Sequence, residues 1–337
     1  MAEYPANHAP ASAEGSSSPP AAAGAEGSAE KRGVLYGLGA YTLWGAMPLY
    51  FALLPPAKGV EVVAARVLFS LVFCAILIAA IRGWSQIRYV TASRASMVRL
   101  FIASLLIAAN WLTYVFAVLS HHALEAALGY FINPIVPVLL GVFILKERLR
   151  RAQWISIALG ALAVVVLTIG YGRLPWISLL LALTFGLYGF AKKGLRKGTT
   201  AAASLTLETV FLAPFAAVAL ALPMLGIGTA VLGEPTLFRF GAGHFWAMAA
   251  SGIVTAVPLI LFGAAASRLP LSLIGMLQYV APILQFLTAL LVFHEEMSGF
   301  RWVGFGLIWA ALAVLTVDAV HHANRFRRAR RAGLIQG

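Results

Sequence analysis

Arg66 and Glu208 are fixed charges standing inside apolar text, the first within GVEVVAARVLFSLVF and the second within SLTLETVFL. Charges in such settings are costly, and their usual work is to pair, to bind or to carry protons. Glu125 opens another apolar stretch, and Arg268 borders a further one. Placed by depth, Arg66 matches Glu125 near one face of the hydrocarbon and Glu208 matches Arg268 near the other. The expectation is two ion pairs that act as alternating gates. The competing reading has all four side chains snorkel to the interface. Glu125 and Glu208 are also the candidate proton carriers. Burial raises a carboxyl pKa and a nearby Arg lowers it, so proton coupling stays open from the sequence.

Uncharged polar groups come next. Glu125, Gly129 and Asn133 share a helix face at four-residue spacing, and Asn133 lies about 16 Å below His122 by helical rise. Gln278 and Gln285 face one way in a later stretch. Asn110 adjoins Trp111, and aromatic residues crowd the same depth: Trp44, Trp111, Tyr114, Tyr130, Tyr188 and Tyr279. Together with Asn110, Asn133, Gln278 and Gln285 they form the expected substrate cavity. Such a wall suits an amphipathic or aromatic small molecule better than an inorganic ion. The alternatives are ordinary aromatic packing and amides that bond neighbouring helices. Pro134, Pro137, Pro258 and Pro282 are the expected kinks, because proline removes a backbone donor and frees a carbonyl one turn back.

These side chains need helices to hold them. Of 337 residues, 61% are hydrophobic and 11% are charged. Soluble domains carry roughly a quarter charged residues. The mean hydropathy is +0.87. Apolar runs fall at about 33–53, 61–81, 98–118, 122–144, 152–170, 174–191, 204–226, 244–266, 270–293 and 300–320, each close to the ~20 residues that cross a bilayer. The pattern predicts an all-α membrane protein with ten transmembrane helices. Residues 1–32, rich in Ala, Ser, Pro, Gly and Glu, read as a disordered tail, and 321–337 as a basic cytoplasmic tail.

The chain also repeats itself. A shift of 148 sets Pro134 on Pro282, Glu147 on Glu295 and Trp154 on Trp302 without a gap. Two halves follow, 33–170 and 171–320. Five spans per half is an odd number, so the second repeat must lie inverted relative to the first. Inverted repeats are an architecture of secondary transporters, with the substrate held midway between them. With the N-terminus inside, inner segments carry 19 Lys and Arg residues and outer loops carry 4. That bias puts both termini in the cytoplasm.

The net charge of +13 is accounted for by these loops and the tail RFRRARR, so nucleic acid is not an expected partner. His121–His122 and His321–His322 diverge around a helix, and His294-Glu295-Glu296 lacks zincin spacing, so no metal is expected. No phosphate-binding loop appears, no cofactor is expected, and no nucleophile–base–orienter set has suitable spacing for an enzyme. Cys74 has no internal disulfide partner. A homodimer is left open.

GYFINP with its following Lys-Glu turn, HHALEAALGYF, the Asn110-Trp111 pair and LQYVAP together resemble the RarD branch of the drug/metabolite transporter superfamily, the EamA-type transporters. The likeness covers most of 33–320. It implies ten helices in two inverted five-helix repeats, a cavity drawn mainly from spans 1, 3, 4, 6, 8 and 9, and export or exchange of small metabolites or amphipathic compounds across a bacterial inner membrane. A lipid scramblase or a membrane-embedded interaction protein is the alternative, and a lateral groove open to lipid would favour it.

Overall fold

The structure is a computed structural model that describes residues 20–143, 146, 149–266, 268–269 and 271–331. Glu147 lies outside the described residues. The elements are α1 (Pro20–Gly45), α2 (Met47–Phe51), α3 (Gly59–Ala80), α4 (Trp84–Thr91), α5 (Arg94–Leu119), α6 (Ala123–Ile132), α7 (Ile135–Phe143), α8 (Arg151–Tyr171), α9 (Trp176–Lys193), α10 (Ala201–Met224), α11 (Thr229–Leu232), α12 (Gly241–Ala266), α13 (Leu271–Leu277), α14 (Val280–Leu291) and α15 (Gly299–Arg331). Every described regular element is helical.

Among the described residues, six helical segments are long and apolar enough to cross a membrane: α3, α5, α8, α10, α12 and the Gly299–Asp318 part of α15. Their outer faces carry large apolar side chains, among them Ile76, Ile169, Phe215 and Trp246, each more than half exposed. Apolar surface on this scale is a liability in water and a requirement in lipid.

Two further apolar stretches are broken. The chain turns at Asn133–Pro134 between α6 and α7, and at Gln278–Tyr279 between α13 and α14. Pro134 cannot donate to the carbonyl of Tyr130, which opens the ladder there. Pro282 sits in the first turn of α14, where its missing donor is tolerated, so the break falls before it at Gln278. Pro137 likewise lies in the first turn of α7, and Pro258 is inside α12.

Helix packing repeats between the halves. Exchange α1, α3, α5, α6–α7 and α8 for α9, α10, α12, α13–α14 and α15, and the main pairings map onto one another. Thus α1 packs on α12 as α9 packs on α5, and α3 on α12 as α10 on α5. The broken helix α6–α7 packs on α9, and α13–α14 on α1. The pairs α3–α10 and α8–α15 join the halves.

In lipid the hydrophobic effect does not drive helices together, so close backbone approach matters more. Gly252 on α12 meets α3 so tightly that a Cβ would stand 2.5 Å from the backbone carbonyl of Phe69. Gly129 on α6 does the same against α9, where a Cβ would lie 2.8 Å from the carbonyl oxygen of Ser178.

Helix is found in three stretches outside the expected spans. Residues 20–32 were placed in a disordered tail, but they belong to α1; their Ala-rich text favours helix. The basic tail continues α15 as far as Arg331, because no Gly or Pro stops it before Gly333. The stretch between α3 and α5, read as a loop, contains α4, a short amphipathic helix with Val90 buried and Trp84 exposed.

Candidate functional site

Polar side chains gather in three places. The first lies in the middle of the helices. Arg66 stands two turns into α3, is 3% exposed, and points at α12 and α5. Its Nε donates to Thr255 Oγ1 at 2.6 Å. Its guanidinium carbon sits 4.1 Å from the centroid of the Trp111 ring and 5.7 Å from that of Phe51. Nη2 reaches only the sulfur of Met47, at 4.0 Å, and Nη1 has no acceptor. Among the described residues, no carboxylate forms an ion pair with Arg66.

Beside it, Asn110, Trp111 and Tyr114 share one face of α5. Asn110 Nδ2 donates to the carbonyl of Leu181 and to Thr184 Oγ1 on α9, each at 3.1 Å, and its Oδ1 accepts from the Tyr130 hydroxyl at 3.1 Å. Tyr114 and Tyr130 meet edge to face with centroids 5.6 Å apart. The Tyr114 hydroxyl and Ser70 Oγ are buried without partners among the described residues, whereas buried polar atoms in folded proteins are normally satisfied.

The second place is one end of the bundle. Glu125 Oε1 pairs with Arg173 at 2.7 Å, while Oε2 has no partner. Ser178 Oγ donates to the Glu125 carbonyl at 2.6 Å, which ties α6 to α9 beside Gly129. Glu295, from the loop before α15, caps α6: its two carboxylate oxygens accept from the N–H groups of Ala123 and Leu124 at 2.6 and 3.0 Å. A carboxylate there also meets the positive end of the helix dipole. Burial pushes the Glu295 carboxyl above the usual carboxylate range, against the pull of those N–H bonds. At the same end of α3, Glu61 accepts from Thr236 N and Oγ1 and from Leu237 N.

The third place is built on Glu208, two turns into α10 and 1% exposed. Lys192 pairs with it at 2.8 Å, Ser204 Oγ donates to Oε1 at 2.7 Å and the Tyr188 hydroxyl donates to Oε2 at 3.1 Å. Lys192 also donates to the Tyr188 hydroxyl at 2.8 Å.

The expected gates are therefore not the pairs that form. Glu125 is held by Arg173 and Glu208 by Lys192; Arg66 bonds Thr255, and Arg268 donates to the Ala264 carbonyl and lies over the Tyr36 ring. Depth alone selected the expected partners. What decides is which side chains the packing brings together: Arg173, in the turn before α9, reaches Glu125 on α6, which packs on α9, and Lys192, at the end of α9, reaches Glu208 on α10.

The expected cavity residues fall into separate groups. Asn110, Trp111, Tyr114 and Tyr130 come together around Arg66. Tyr188 belongs to the Glu208 group. Gln285 donates to the Trp44 carbonyl at 3.1 Å, with its Oε1 unpartnered. Asn133 Oδ1 is also unpartnered and faces Gly186 on α9. Gln278 is half-buried at the turn after α13, and Tyr279 lies 3.5 Å from Thr316 through its hydroxyl. Sequence reading missed Arg173, Lys192, Glu295 and Thr255. Lys192 stands four residues after Tyr188, a spacing that could have found it; nothing marks Thr255 among many threonines.

Two cavities lie at the periphery. One of about 700 Å³ runs along Pro55–Val60, Leu112, Phe116 and Trp176; another of about 450 Å³ lies between α8 and α15 near Asp318, which Arg150 pairs at 2.8 Å. The polar centre itself is closed to solvent in this conformation.

An all-helical, multi-pass bundle with a charged, partly unsatisfied interior is the build of a membrane transporter, and the comparisons agree. The profile of the EamA-like transporter family matches residues 31–169. A protein RarD of Streptomyces exfoliatus is 45% identical over 300 residues, covering 88% of this chain and 92% of its own. An uncharacterized transporter of Pseudomonas aeruginosa is 43% identical over 295 residues, covering 88% of this chain and 96% of its own. A crystal structure of a protein 22% identical superposes with a TM-score of 0.53 over 86% of this chain and 98% of that one, a likeness of fold alone. The chain belongs to the EamA-like family of the drug/metabolite transporter superfamily, alongside relatives named RarD.

Proposed function

We propose that this protein is a secondary transporter and not an enzyme. It moves a small organic metabolite or amphipathic compound, as exporter or exchanger, across a bacterial inner membrane by alternating access. In this reading the broken helices α6–α7 and α13–α14 each complete one span, α1 and α9 supply two more, and ten spans form two inverted repeats with both termini in the cytoplasm. Three features support it. The helix pairings map onto one another when the halves are exchanged, the Lys and Arg residues favour one side, and the family is one of transporters.

The observation that carries the reading is the buried polar centre. Arg66, Asn110, Tyr114, Tyr130, Thr184 and Thr255 come from both halves, and they meet midway along helices whose outer faces are apolar. Proton coupling would run through Glu125 or Glu208, the carboxylates at the two ends.

The test is counterflow in proteoliposomes holding the full chain. Vesicles are loaded with one class of solute at a time (amino acids, sugars, nucleosides, aromatic acids, amphipathic cations) and given a labelled trace of the same class outside. Saturable accumulation of one class is the expected result. Equal leak of every class, with no saturation, sinks the reading.

A further inference from the structure

We infer that the transported molecule carries a carboxylate, and that Arg66 is its anchor. This rests on the transporter reading and deepens it.

The argument begins with charge. Arg66 is always protonated near neutral pH, is 3% exposed, and has no carboxylate paired to it among the described residues. The other two deep charged sites are balanced: Glu125 has Arg173 and Glu208 has Lys192. A buried cation without a counter-ion is among the most costly arrangements a membrane interior can hold. Its present neighbours soften that cost only in part. They are a hydroxyl, a thioether and two aromatic faces.

The unpartnered donors then say where an anion would bind. Nε is used by Thr255, but Nη1 is free. The Tyr114 hydroxyl, on the α5 face beside Trp111, is also buried and free. The phenols of Tyr130, Tyr50 and Tyr114 lie close enough to act on Arg66 electrostatically. A guanidinium N–H and a phenol O–H offer two donors, which suits the two oxygens of one carboxylate. A dianionic phosphate would bring a second negative charge with no second cation to meet it. The body of the ligand would lie against Trp111, Phe51 and the Tyr114–Tyr130 pair, which favours an apolar or aromatic substituent.

A structural role for Arg66 predicts the reverse behaviour on substitution. If Arg66 held the fold together, removing it would destabilise the empty protein. If it waits for a ligand, removal relieves a buried charge. Arg66→Met keeps an unbranched apolar stem among Met47, Phe51 and Trp111. Thr255 keeps a bond through its own hydroxyl, which donates to the Ser251 carbonyl at 2.7 Å.

The experiment measures thermal unfolding of the purified full chain in detergent. The probes are acetate, hexanoate, benzoate, 3-phenylpropanoate and indole-3-acetate, each beside its neutral amide. The expected result is saturable stabilisation by at least one acid, with its amide at least tenfold weaker. R66M unfolds no earlier than wild type and loses the response to that acid, while Arg66→Lys keeps a weakened response. Three outcomes overturn the inference: acid and amide acting equally, no acid acting, or R66M responding to the acid as wild type does. Saturable counterflow of a neutral solute that R66M leaves unchanged would also remove the anchor, yet leave the transporter reading intact.

Discussion

Lys192→Met should be the most damaging single change among the paired charges. Glu208 is 1% exposed at its side chain and Lys192 is 26% exposed, 2.8 Å apart. At that separation and an effective dielectric of about 20, their attraction is roughly 6 kcal/mol before desolvation is subtracted. Methionine keeps the stem but strands the carboxylate, and loss of one partner of a buried pair costs about 3–5 kcal/mol. Glu208→Gln is milder. Lys192 can turn toward water, and the amide still accepts from Ser204 or Tyr188, so the loss is about 1–2 kcal/mol. The double variant removes both charges and should cost about 1–2 kcal/mol as well, which leaves a coupling of about 4 kcal/mol. For a chain of this size ~1 kcal/mol corresponds to about 2 °C, so K192M should unfold roughly 6–10 °C early. Thermal unfolding of the four proteins in one detergent makes the cycle. A double variant as unstable as the two single losses added would refute the pairing argument.

Other expectations follow from the same contacts. Glu295→Gln should weaken the cap on α6 by about 1–2 kcal/mol. Because the Glu295 carboxyl is raised in the folded state, the folded protein binds more protons than the unfolded one just above the free carboxyl pKa of about 4.3. Wild-type stability should therefore fall as pH rises through that window, and E295Q should lack that component; matching slopes from pH-stepped melts would count against it. Gly252→Ala drives a Cβ into the Phe69 backbone and should cost about 1–3 kcal/mol, whereas a melting point equal to wild type would mean α3 and α12 can part freely. Asn133→Ala should insert normally but slow counterflow several-fold, and unchanged flux at equal membrane content would take Asn133 off the substrate path.

Much of this architecture was legible in the residues. Hydropathy located α3, α5, α8, α9, α10 and α12 to within a few positions, but not the start of α1 or the end of α15, where polar text continues the helix past the apolar run. Asn133–Pro134 marked a real interruption. The second interruption fell at Gln278–Tyr279 and not at Pro282, because a proline in the first turn of a helix is harmless there and displaces the break upstream. The ion pairs were less accessible. Sequence gives depth, but the identity of a partner depends on rotation about each helix axis: Lys192 on α9 meets Glu208 on α10, and Arg173 just before α9 meets Glu125 on α6. Arg66 was recognised as costly, yet its neighbours Thr255 and Met47 carry no distinguishing spacing. Shared depth also put Tyr188 and Gln285 with the central cluster; Tyr188, one turn beyond Thr184 on α9, spends its hydroxyl on Glu208, and Gln285 spends its amide on the Trp44 carbonyl.

Glu295 grips the first turn of α6 from a loop 171 residues further along the chain. Whatever swings α6 away from the start of α15 must first let go of two amide hydrogens. The bundle is thus fastened like a clasp at that end, its two halves of chain joined by one side chain.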